Sequence, residues 1–183
     1  MSFQILTVCT GNICRSPAAQ LLLQNHLDQS VTVDSAGTYA MRGYPIHEPM
    51  ATLLKTKGVT ETTFQASQLN NARINNADIL LTATHKHKKW ILQESPSALK
   101  KAFTLKEFAA LATKATPIEN RHLLNDAEKM EILFNQIKKL RNQVDPRDPR
   151  FEIVDPYLQP VEIYESTLKE IEEAIDEILT IIH

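Results

Sequence analysis

Cys9-Thr10-Gly11-Asn12-Ile13-Cys14-Arg15-Ser16-Pro17 is the stretch of this 183-residue chain whose residue types and spacing carry chemistry. An apolar, β-branched run from Phe3 to Val8 precedes it. A helix-forming run opens at Pro17, a residue suited to a first helical turn because its missing N–H costs nothing there. The main-chain N–H groups of a loop between a strand and a helix converge on one point. They make an anion nest, strengthened by the positive end of the helix dipole. Gly11 and Asn12 are residue types that accept positive φ, which a tight cradle demands somewhere. Arg15 supplies a planar fork that grips two phosphoryl oxygens at once, a grip Lys cannot copy. Cys9, at the strand end, points into the same nest. Amide dipoles, helix terminus and Arg15 there all favour the ionised sulfur, which is the nucleophile. Ser16 can donate its hydroxyl to that sulfur. The G-x-x-x-x-G-K-[ST] pattern is missing, which excludes a Walker nucleotide loop.

Transfer of a phosphoryl group to sulfur needs a general acid, because an alkoxide or phenolate leaves badly unless protonated. Three Asp-Pro pairs are available, at Asp145, Asp148 and Asp155. Aspartates before Pro also cap helices and start turns, so the residues alone leave the choice open. His85 and His87, two apart, point to different faces of a helix and are expected to be solvated rather than to share a metal. Cys9 and Cys14 are too far apart for a C-x-x-C redox pair, and no second Cys/His pair has zinc-finger spacing. No metal or cofactor is therefore expected.

The elements that must position these residues follow from hydrophobic spacing. Val31 to Ala36 reads as a second strand ended by Gly37, and His47 to Lys57 as a helix capped by Gly58. Ala77 to Thr82 and Ala102 to Leu105 read as further strands, followed by helices at His85 to Leu92 and Lys106 to Leu111. Strands alternating with helices at this spacing indicate an α/β fold with a mainly parallel sheet. Ligands in such sheets bind beyond the carboxyl ends of strands, where Cys9 to Ser16 sits. Two long helices are predicted after Leu111. One runs from Glu119 to Val144 with a stripe of Leu123, Met130, Leu133, Ile137 and Leu140. The other runs from Val161 to Ile182 with Leu168, Ile171, Ile175, Ile178 and Ile182. Both stripes are expected to face the core.

With 20 Lys+Arg against 22 Asp+Glu and a net charge of −2, the chain has no general footprint for nucleic acid. At 43% hydrophobic and 23% charged it reads as an ordinary folded domain. No apolar run approaches the roughly 18 residues needed to span a bilayer. The start, Met1-Ser2-Phe3-Gln4, lacks the basic region of a signal peptide. Two cysteines close together indicate a reducing cytoplasm rather than a stapled secreted scaffold.

The stretch Cys9 to Pro17 reads throughout like the signature loop of the low-molecular-weight protein tyrosine phosphatase family. The sequence also resembles that family at Ser35-Ala36-Gly37-Thr38, at Ala77-Asp78 before an apolar strand, and at Asp155-Pro156-Tyr157. The resemblance covers most of the chain except about 112–150, taken as a helical insertion in one domain spanning 1–183. It implies a three-layer sandwich whose four-stranded parallel sheet has the order 2-1-3-4, with helices on both sides and the phosphate-binding loop after strand 1. It further implies metal-free hydrolysis of phosphorylated proteins in two steps through a cysteinyl-phosphate, with inorganic phosphate as product. On this resemblance Cys9 is the nucleophile, Arg15 the phosphate clamp, and Asp155 the general acid and then the base. Thr10, Gly11, Asn12, Ile13, Cys14 and Ser16 line the substrate site, and Asn12 and Ser35 hold the loop's shape. Tyr39, Met41 and Tyr157 are candidate walls for a flat ring. Phe64 stands where the family usually has a histidine in the support network. Cys14 is implied to form a reversible disulfide with oxidised Cys9; the alternative is a small buried residue that fills space. A monomer or weak dimer is expected. The insertion is left with three roles: packing beside the last helix, shading the site's mouth, or mediating dimers.

Rival activities separate on single positions. Thioredoxin-coupled arsenate reductases of similar architecture need cysteines beyond Cys14, and this chain has none. Protein arginine phosphatases resemble it around Thr84 to Lys88 and Phe103 to Glu107, but usually carry Thr at the position of Ile13. An apolar Ile13 favours phosphotyrosine over phosphoarginine. A phosphate-binding module without catalysis is disfavoured by the intact Cys9, Arg15 and Asp155.

Overall fold

A computed structural model describes residues 2–183. Four parallel strands, β1 (Phe3–Cys9), β2 (Val31–Gly37), β3 (Ile79–Thr82) and β4 (Ala102–Thr104), form one sheet in the order β2-β1-β3-β4. The order predicted from the family resemblance is the order found. Cys9 pairs in register with Gly37, and Val8 with Thr82. The chain leaves β1 to one side for β2 and returns on the other for β3. The crevice opened at such a reversal lies beyond the end of β1.

Both sheet faces are covered because the strands are apolar on both sides. Ile5, Ile79 and Leu81 face one core, and Leu6, Val8 and Leu80 face the other. The first core takes α1 (Arg15–His26), α5 (Leu105–Ala112), α6 (Asp126–Leu140) and α7 (Val161–Ile182). The second takes α3 (Asn71–Asn76) and α4 (His85–Glu94). α2 (Glu48–Thr56) lies against α7. In α7 the whole predicted stripe is buried. Each such side chain contributes about 1.5–3 kcal/mol on burial. α5 opens with a capping box, Thr104 with Glu107. The Glu107 carboxylate is fully buried and pairs with Lys88 at 2.8 Å. No described helix is long and apolar enough to cross a membrane.

The helix expected over Glu119 to Val144 is shorter, and this is a correction. Asn120 takes a left-handed conformation (φ 52°), a 3-10 turn covers Arg121–Leu123, and Leu123 is 74% exposed instead of core-facing. The helix starts where Asn125 and Glu128 form a reciprocal cap. α6 packs on α5, α7 and β1, and none of its residues lines the cavity at Cys9. α3 was not anticipated: six residues are too few to show a helical period.

Candidate active site

The loop after β1 is held from outside by its carbonyls. Those of Cys9, Thr10, Gly11 and Ile13 accept N–H bonds from Thr38, Tyr39, Met41 and His47 at 2.8–3.0 Å. With its carbonyls engaged outward, the loop leaves its N–H groups to the concave side, and the Asn12 N–H points at Cys9 Sγ, 3.3 Å away. The positive φ falls on Asn12 (57°) and not on Gly11. α1 begins with no side-chain cap and no acidic residue in its first turn, so its N-terminal donors face the cradle rather than a capping oxygen.

Gly37 is the tightest packing point. A β-carbon there would lie 2.4 Å from the Thr10 carbonyl oxygen. Gly37→Ala must therefore push the loop outward. It is expected to cost about 1–3 kcal/mol, read as a lower urea midpoint, together with weaker phosphate binding. An unchanged midpoint would contradict this account of the loop's seat.

A chain of buried hydrogen bonds sets the direction of the protons around the sulfur. The Ser67 N–H can only donate, so the Asn12 atom 2.8 Å away is Oδ1. Asn12 Nδ2 then donates to both Ser16 Oγ and Ser35 Oγ, each at 2.9 Å. Ser35 sends its own proton to Gln20 Oε1 at 2.6 Å. Ser16, already accepting, gives its proton to Cys9 Sγ at 2.9 Å in preference to the Ala36 carbonyl at 3.5 Å. The sulfur thus faces a hydroxyl donor and an amide donor, both positioned by neighbours.

Arg15 is 5% exposed, donates to the Ile153 carbonyl at 3.1 Å and pairs with Asp155 at 3.0 Å. The 52%-exposed Asp155 carboxylate stands at the mouth. Cys9, Arg15 and Asp155 share one cavity of about 170 Å³ with Thr10, Gly11, Ile13, Cys14, Tyr39, Met41 and Tyr157. Asn12, Ser16 and Ser35 stand behind the lining as supports. Tyr157 leans edge-on against His47, their ring centroids 5.1 Å apart, while Tyr39 is largely exposed. The other two Asp-Pro aspartates are turn residues: Asp145 accepts from the Arg147 backbone, and Asp148 caps the 3-10 turn Pro149–Phe151. Asp148 is held below the usual carboxylate range by its hydrogen bonds to Arg150.

Cys14 is buried at the cavity floor. Burial first, then the neighbouring Cys9 and Asp155, pushes its thiol up to about 12. The neighbouring Tyr164 hydroxyl accepts from the Leu158 N–H at 3.3 Å and meets His47 Nδ1 at 3.0 Å. His47 gives its backbone N–H to Ile13, so His47 and Tyr164 tie the Cys9 loop to the Asp155 loop.

The expectation that both histidines are solvated is corrected for His87. It is buried between Thr10 Oγ1 (2.8 Å) and Thr84 Oγ1 (2.9 Å), bracing the loop from α4. Burial, then the positive charges of Arg15 and Lys86, holds its imidazole down to about 3. It is neutral in the fold but protonated in the unfolded chain below about pH 6.5. Stability therefore drains as the pH falls from that value towards 3. His87→Gln is expected to flatten the urea midpoint against pH over that window; an unchanged slope would contradict a neutral His87. His85, on the other face, bonds the Asp148 carbonyl at 3.0 Å. Phe64 enters none of the loop's hydrogen bonds and packs on the core; the Ser67 backbone and Gln20 hold Asn12 and Ser35. The i,i+3 spacing of Thr84 and His87 was the readable sign of the first support; the others come from distant segments.

Known proteins resemble this chain in sequence and in fold. The sequence profile described as low molecular weight phosphotyrosine protein phosphatase matches residues 4–137. A protein-arginine-phosphatase of Geobacillus stearothermophilus is 42% identical over 110 residues, which is 60% of this chain and 74% of that protein. A probable low molecular weight protein-tyrosine-phosphatase, EpsP, of Ralstonia solanacearum is 39% identical over 103 residues, 56% of this chain and 70% of its own. Among solved structures, the YwlE arginine phosphatase from G. stearothermophilus superposes with a TM-score of 0.72 at 32% identity, covering 96% of this chain and 90% of its own. The chain belongs to the low-molecular-weight phosphotyrosine protein phosphatase family.

Proposed function

We propose that this chain hydrolyses phosphotyrosine in proteins through a cysteinyl-phosphate. The observation that carries the reading is the convergence of Cys9, Arg15 and Asp155 on one small cavity, with the Ser16 hydroxyl and Asn12 N–H aimed at the sulfur. The ionised Cys9 sulfur attacks phosphorus in line with the ester oxygen. The S–P bond forms as the P–O bond breaks, and Asp155 gives its proton to the departing phenolate. Arg15 and the loop N–H groups neutralise the equatorial oxygens. Asp155, now a carboxylate, takes a proton from the water that cleaves the S–P bond, releasing inorganic phosphate and the sulfur anion. Ser16 stabilises that anion as it leaves. No step calls on a metal, and turnover of para-nitrophenyl phosphate is expected to persist in EDTA. Cys14 serves first as floor. For it to close a disulfide on oxidised Cys9 it must lose a proton that burial holds firmly.

Substrate choice rests on Ile13, 5% exposed and lining the cavity with Met41, Tyr39 and Tyr157. Those walls suit a flat apolar ring. A second reading, phosphoarginine, is favoured by the relatives whose names are protein-arginine-phosphatase. Phosphotyrosine and phosphoarginine peptides competing in one assay separate the two. The expected result is preference for phosphotyrosine, lowered about tenfold by Ile13→Thr. Preference for phosphoarginine in the unaltered protein would reverse the assignment.

A further inference from the structure

The start of α4 breaks a local rule. His85-Lys86-His87-Lys88-Lys89 puts cationic side chains at the positive end of a helix, with no acidic residue in the first turn. Lys88 is accounted for by Glu107, and His87 by Thr10. Lys86 and Lys89 are exposed and make no ion pair among the described residues. Three apart, they share one helix face, which Trp90 and Gln93 extend. These four residues border a depression of about 310 Å³ whose lining contains no carboxylate. Thr10 and Tyr39 line both this depression and the cavity at Cys9, so the two are contiguous. The His87–Thr10 hydrogen bond fixes α4 against the loop.

We infer that this face of α4 is a second subsite, taking an acidic side chain that neighbours the phosphorylated residue in the substrate. Two unpaired ammonium groups attract a carboxylate, and the partly buried Trp90 offers an apolar wall for its methylenes. A basic neighbour is repelled by the same charges. The inference rests on the phosphopeptide reading above and adds a sequence preference to it.

The test is kcat/KM for three phosphotyrosine peptides that differ only in Glu, Ala or Lys on both sides of the phosphotyrosine. The unaltered protein is expected to favour the Glu peptide over the Lys peptide by about tenfold at low salt, with the preference shrinking in high salt. Lys86→Glu with Lys89→Glu is expected to invert that order. The ratio between peptides is read within each protein, so a general loss of activity does not obscure it. Should the doubly substituted chain fail to fold, the salt dependence of the unaltered protein's preference decides. Equal values for the three peptides, or a preference indifferent to both salt and charge reversal, would overturn the subsite while leaving the phosphatase reading standing. Hydrolysis of none of the peptides would overturn that reading, and the subsite with it.

Discussion

Cys9→Ser is expected to lower kcat on para-nitrophenyl phosphate by about 10⁴-fold or more while inorganic phosphate still binds. The two halves of this result have separate causes. Turnover needs a group that is both a strong nucleophile and a good leaving group from phosphorus. A serine hydroxyl lacks the first property, and its phosphate ester lacks the second. Binding depends instead on the loop N–H groups and Arg15, which the substitution leaves in place. The fold is expected to survive, because a hydroxyl at this buried position still meets Ser16 and the Asn12 N–H. Turnover close to the unaltered rate would remove Cys9 from the reaction, and lost phosphate binding would mean that the sulfur shapes the cradle itself.

Asp155→Asn is the second large effect. Asp155 stands 3.0 Å from Arg15 at the open side of the cavity, where a leaving group must depart. General acids of this kind contribute about 10²–10⁴-fold. The full loss is expected in kcat/KM for phenyl phosphate, whose leaving oxygen needs a proton. Little loss is expected for dinitrophenyl phosphate, which leaves unaided. Because kcat/KM reports the step that forms the S–P bond, this dependence isolates the acid from the later base. A small uniform decrease across the series would move the acid role away from Asp155. Asp145 and Asp148 are poor replacements, since both serve turns outside the cavity.

How far the sequence could be read depended on how local each feature was. The Cys9 loop was legible because nucleophile, cradle, clamp and hydroxyl donor lie within nine consecutive residues between a strand and a helix. α7 was legible because its apolar stripe holds period for the length of the helix. Burial of His87 was only half legible: Thr84, one of its two hydroxyl partners, lies three residues before it, but Thr10, the other, is 77 residues away. Among lysines the local pair alone does not distinguish a buried histidine from a solvated one. The Tyr164–His47 link was invisible for the same reason, with 117 residues between its ends. α6 differs from its expected bounds for another reason. Leu123 fits the helical stripe, but the Asn125-x-x-Glu128 capping box, not the apolar spacing, marks the true start. Asp155 could be singled out from its neighbours only by likeness to a family, since Asp-Pro pairs carry no mark of acid chemistry until the fold sets one of them against Arg15.

The most direct measurement is an acid quench of the protein during turnover of a phosphotyrosine peptide, with proteolytic mapping of any covalent phosphate by mass spectrometry. The expected result is one phosphoryl group, on the peptide carrying Cys9, in a linkage labile as an S–P bond, and enriched by Asp155→Asn when dinitrophenyl phosphate, which needs no acid to form the S–P bond, is the substrate. Phosphate on another residue, or product formed at the full rate with Cys9 never modified, would contradict it.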